Sequence, residues 1–201
     1  YLVGGVDIGT GRLGDTCPLA AREDTQTLLK FSSMDGWSPD PEPWPGYVEL
    51  NLATPVAWAS LELGVKDEAL CVRPSAEQKT HPLETSCMVL RYEGEPVEIP
   101  GSAEAVGVSV KADRAWGRVV FILQDAAGQN WVSARSQTPV DVDGEAWLET
   151  LLPKAPSDAY PGYRGYRAWQ RDKGDVIPEY PMRLMGLLLE TRTHVIHGPE
   201  L

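Results

Sequence analysis

Apolar and polar positions along this chain fall into short runs of the kind that form strands. From Glu104 to Lys111, Val106, Val108 and Val110 alternate with small or polar partners, the period of two of a half-buried strand. Ala112–Asp113–Arg114 breaks the pattern. The next run, Trp116–Gln124, is almost unbroken from Val119 to Leu123, as expected of a strand buried on both faces. Asp125–Ala126–Ala127–Gly128 then supplies turn chemistry, and Gln129–Ala134 resumes as a strand. This meander predicts an all-β fold, a two-sheet antiparallel β-sandwich.

Further strand-like runs are Thr27–Phe31, Tyr47–Leu52, Ala57–Val65, Ala69–Arg73, Ser86–Tyr92, Ala146–Leu152 and Met182–Arg192. No run predicts a helix longer than two or three turns, and residues 1–26 have only weak periodicity. Two irregular stretches stand out. The segment between Phe31 and Tyr47 is rich in proline and carries Trp37 and Trp44. The 29 residues from Pro153 to Pro181 lack clear periodicity, and loops of that length are usually functional.

Composition narrows the partners. The 201 residues suit one sandwich domain spanning 1–201, and no run reaches the length of a membrane helix. Lys and Arg number 18 against 29 Asp and Glu, a net charge of −11, which repels a phosphate backbone and an anionic membrane surface alike. The chain opens on Tyr1 without a basic-then-apolar leader, so we read it as a mature or excised segment of a larger multidomain protein.

Three cysteines, Cys17, Cys71 and Cys87, have no zinc-site spacing. Cys71 and Cys87 flank a polar excursion that a disulfide could close in an exported protein, for about 3 kcal/mol in the chain-entropy model. The alternative is that all three are buried thiols packing as small hydrophobes.

The richest candidate site is Tyr163–Lys173. Tyr163, Tyr166 and Trp169 interleave there with Arg164, Arg167 and Arg171, and the stretch carries +3 within an acidic chain. Aromatic faces stack on the C–H faces of sugar rings, and guanidinium forks grip hydroxyls or carboxylates. The rival reading makes the aromatics a plug that seats the loop on the sandwich. Trp131 is the next platform candidate, although a tryptophan on a sheet is more often core, as Trp116 and Trp37 could be. His194 and His197 would point to opposite faces of a strand and so are poor partners for one ion, and His81 lies in a polar loop. Glu49, Glu62 and Glu190 lack the context of a catalytic carboxylate pair. Asp141, Asp143 and Glu145 form an acidic loop whose carboxylates and carbonyls could hold a calcium ion, although without EF-hand-like spacing.

Val106 to Ser133 (VGVSVKADRAWGRVVFILQDAAGQNWVS), followed by Asp143–Gly144–Glu145–Ala146–Trp147, Leu151–Leu152–Pro153 and the strand Tyr180–Glu190, resembles the central strands of galactose-binding-like jelly-roll modules in bacterial carbohydrate-active proteins. The likeness covers about residues 100–192, with a looser echo at Ser60–Leu63. It implies a secreted, non-catalytic carbohydrate-binding module attached to a glycoside hydrolase or polysaccharide lyase, extracellular or periplasmic. Such modules often carry a structural calcium ion, so the resemblance implies a possible calcium site, to which no residue is assigned. Two rival expectations are a jelly-roll lyase or hydrolase domain, and a structural or protein-contact sandwich.

Overall fold

The computed structural model describes residues 24–40, 56–58, 61–74, 85–112, 116–133, 139–140, 144–154, 169–171 and 177–192. Among them there is no helix. The strands are Trp37–Pro39 (β1), Val56–Trp58 (β2), Leu61–Lys66 (β3), Ala69–Pro74 (β4), Thr85–Tyr92 (β5), Glu98–Ile99 (β6) and Ala105–Ala112 (β7). Trp116–Gln124 (β8), Asn130–Ser133 (β9), Pro139–Val140 (β10), Gly144–Leu151 (β11), Trp169–Arg171 (β12) and Met182–Arg192 (β13) follow.

Among the described residues nine strands form the main sheet, ordered β1-β5-β13-β8-β9-β12, with β2, β6 and β10 pairing beside that path. Every pairing is antiparallel except β2 with β5. β3 with β4 and β7 with β11 make two separate antiparallel ribbons. The result is all-β and layered like a β-sandwich.

The main sheet is apolar on both sides, which accounts for the unbroken run in β8. Val119, Phe121 and Leu123 join Met88, Leu90, Trp131, Leu187 and Leu189 in the larger core. The ribbons pack against that core through Leu61, Leu63, Leu70 and Val72, and through Val106, Val108 and Val110. Val120 and Ile122 turn the other way, joining Val89, Val132 and Leu188 in a second buried cluster. Each such side chain withdrawn from water contributes about 1.5–3 kcal/mol before entropy is counted.

β13 serves both cores by means of a bulge. Leu184 pairs with Leu123 while Gly186 pairs with Ile122, leaving Met185 as the extra residue. Met182 and Leu184 face the larger core before the bulge, and Leu187 and Leu189 face it after. One inserted residue thus resets the alternation within a single strand.

The β7–β11 ribbon sets Val106 opposite Thr150, Val108 opposite Leu148 and Val110 opposite Ala146. Thr150 is 2% exposed, and its hydroxyl oxygen has no hydrogen-bond partner. A buried, unmade hydrogen bond carries a desolvation cost that an apolar isostere avoids. Thr150→Val is therefore expected to stabilise the fold by about 1 kcal/mol and to raise Tm by about 2–4 °C. A thermal melt that falls instead would show that the hydroxyl is satisfied.

Several expectations need correction. Thr27–Phe31 is not a strand; Leu29 and Phe31 pack on the core without backbone pairing. The run Ala57–Val65 divides between sheets, because β2 pairs with β5 and β3 pairs with β4. The long stretch after Pro153 contains β12, which extends the main sheet beyond β9. Cys71 is a free thiol, so the pairing with Cys87 is not formed. Tyr47–Leu52 and Cys17 lie outside the described residues.

Candidate functional site

Of the expected sugar-gripping residues, Tyr163, Arg164, Tyr166 and Arg167 lie outside the described residues. Trp169 and Arg171 are the first and last residues of β12, in register with Ser133 and Trp131 of β9. Part of the aromatic and cationic segment therefore forms the end strand of the main sheet, paired to β9.

Trp131 is a core residue and not a stacking platform. Its side chain is 0% exposed, and its indole N–H donates to Asp125 Oδ2 at 2.9 Å. Asp125 organises the whole β8–β9 turn. Its Oδ1 accepts the Gln129 amide at 2.8 Å, its own amide donates to the Gln129 carbonyl, and its carbonyl accepts the Gly128 amide. Gly128 has a φ of +82°, the left-handed conformation that closes such turns without steric cost. Ser133, also buried, accepts the Phe121 amide on its hydroxyl oxygen at 2.8 Å.

Trp37 is likewise core. Its ring lies between Phe31 and Tyr92, at centroid distances of 5.1 and 4.8 Å. Trp44, His81, His194, His197, Glu49, Asp141 and Asp143 lie outside the described residues. Glu62 is exposed on β3, and Glu145 is exposed beside Lys111 at 3.6 Å. Among the described residues no group of three or more His, Cys, Asp or Glu is placed to hold a metal ion.

A second polar cluster gathers around Tyr180, which packs against the larger core. The Tyr180 hydroxyl donates to the Pro153 carbonyl at 2.8 Å, and Lys154 Nζ lies 4.3 Å from the centre of the Tyr180 ring. Lys154 also donates to the Gly101 carbonyl at 2.6 Å. Burial lowers the Lys154 pKa below the usual ammonium value, and nearby Glu104 opposes that shift. On the other side of the sheet, Arg183 Nε donates to Gln124 Oε1 at 3.0 Å, and the Gln124 amide donates to Asn130 Oδ1 at 3.2 Å. These side chains form a polar row across β13, β8 and β9.

One further aromatic was not anticipated as a site residue. Along the β7–β11 ribbon the valines face the core, so Gly107, Ser109 and Lys111 face outward with Glu145, Trp147 and Glu149. Trp147 is partly exposed, directly opposite exposed Ser109. A Cβ on Gly107 would overlap the Trp147 ring, lying 2.7 Å from Cε2, so the indole crosses the bare backbone there. Its N–H donates to Glu149 Oε2 at 3.0 Å. The sequence signal was the alternation Glu145–Trp147–Glu149 against Gly107–Ser109–Lys111, which sets the tryptophan on the polar side of its strand. Stacking and hydrogen bonding are the chemistry that this face offers.

Compared with protein-family models, with curated proteins and with solved structures, the chain matches nothing.

Proposed function

We propose that this domain is a non-catalytic carbohydrate-binding module of the galactose-binding-like jelly-roll kind. It holds an attached glycoside hydrolase or polysaccharide lyase on a polysaccharide outside the cytoplasm of a bacterium. The reading rests on the resemblance over residues 100–192 and on the composition of Tyr163–Lys173. The observation that carries it is that part of that segment, β12, forms the end strand of the main sheet, paired to β9, in a two-layer β-fold. A rigid sheet gives a loop of aromatic and cationic side chains a fixed base, which lowers the ordering cost of binding. The gain to the parent enzyme is proximity, because binding raises the local concentration of substrate without chemistry of its own.

Retention on a polysaccharide-containing affinity gel is the expected behaviour, with affinities in the micromolar to millimolar range, roughly −4 to −8 kcal/mol. Combining Tyr166→Ala with Trp169→Ala is expected to abolish retention while moving Tm by no more than about 2–4 °C, the equivalent of roughly 1 kcal/mol. Normal retention of the double variant would overturn the loop as the binding site. Sugar ends released during incubation with the polysaccharide would replace the binder with a lyase or hydrolase.

A further inference from the structure

We propose that the outward face of the β7–β11 ribbon is a second sugar platform, where a neutral pyranose ring stacks on Trp147. The proposal rests on the reading of the domain as a carbohydrate binder, and it names the class of sugar.

The ring is held in place before any ligand arrives. Gly107 leaves the backbone bare beneath it, and Glu149 fixes the indole N–H at 3.0 Å. An aromatic restrained in this way has little rotamer freedom left to lose when a ligand binds. Ser109, opposite in the register and exposed, offers a hydroxyl that both donates and accepts beside the ring, as sugar hydroxyls require.

Charge selects the class of ligand. Glu145 and Glu149 share this face, Lys111 is engaged by Glu145 at 3.6 Å, and the chain as a whole carries −11. A uronate or sulfated polymer would meet like charge here, whereas a neutral chain would not. The surface is therefore complementary in kind to the cationic Tyr163–Lys173 segment, not a duplicate of it. A tryptophan that merely shielded Gly107 would need neither an open neighbour nor a selective field.

The test uses native affinity gels containing xylan, galactomannan, mixed-linkage β-glucan or polygalacturonate. Wild type is run beside Trp147→Ala, Ser109→Arg and the Tyr166/Trp169 double variant. Ser109→Arg adds a guanidinium that covers the indole without touching the core. On a neutral polymer that retards the wild type, both ribbon variants are expected to bind about three- to tenfold more weakly, what one stacked ring contributes. Oligosaccharides of the same polymer should shift the Trp147 indole N–H resonance, assigned by its loss in Trp147→Phe. Undiminished retention of both ribbon variants with an unmoved resonance would overturn the platform, as would retention on polygalacturonate alone. If the double variant binds like wild type on every gel, polygalacturonate included, while Ser109→Arg loses the neutral polymer, the ribbon stands and the loop site falls. If no gel retards the wild type, both fall.

Discussion

Gly186→Ala is expected to be among the most damaging single changes in this domain. A Cβ at that position would overlap the carbonyl oxygen of Leu90 in β5 and would lie 3.3 Å from the Arg91 Cα. The obstacle is backbone, so no side chain can rotate away. Neither strand can retreat, because β13 is held between β5 and β8 along most of its length. Overpacking usually costs about 1–3 kcal/mol, and a clash with fixed backbone belongs at or above the top of that range. For a domain of this size the expected loss in Tm is about 6–12 °C. An unchanged melt would mean that the bulge at Met185 is wrongly registered.

Asp125→Ala should cost about 3 kcal/mol, because it strips acceptors from two buried N–H groups at once. The orphans would be the Gln129 amide and the Trp131 indole, both among buried residues. The indole part of the loss can be isolated. Trp131→Phe removes the same hydrogen bond from the other side, so the two changes together should cost less than the sum of each alone. A double-mutant cycle by denaturant unfolding is expected to give a coupling of about 1 kcal/mol. Strict additivity would mean that Asp125 and Trp131 act separately.

The strands that the sequence declared most clearly are those whose environment leaves the least choice. Trp116–Gln124 and Met182–Arg192 were legible to the residue, since both are built around an apolar stretch, Val119–Leu123 and Leu184–Leu189, in the middle of a sheet buried on two sides. Ala105–Ala112 was legible from alternation, having one face on the core. β1, β6, β10 and β12 have only two or three residues each, too few for a period to register. Thr27–Phe31 misled because Leu29 and Phe31 deliver apolar contacts from an unpaired backbone, and pattern records burial, not pairing.

Site residues were harder to read for a different reason. A tryptophan has the same letter whether it fills a core or faces a ligand. Trp131 followed a turn and resembled a platform, yet the carboxylate at the start of that turn draws its indole inward. Trp147 was legible as a strand residue, but its position over Gly107 depends on a partner 40 residues earlier in the chain, fixed by the β7–β11 register. What sequence could supply was the local mixture of aromatic and cationic residues at Tyr163–Lys173. It could not supply the way that part of that segment forms β12.

The place of β13 in the main sheet also governs the order of events as the chain leaves the ribosome. β5, β6 and β8 all pair with a strand that is synthesised after every one of them. Until residue 192 has emerged, the inner edges of β5 and β8 have no permanent neighbour, and their apolar faces wait in water. The pairings of β13 with β5, β6 and β8 join residues far apart in sequence, and such late, long-range pairing is expected to slow folding and to leave the nascent domain prone to pairing with the wrong edge. A fragment cut before Met182 would retain the two ribbons and lose the strand that joins the halves of the sheet. Such a fragment would aggregate instead of forming a smaller domain.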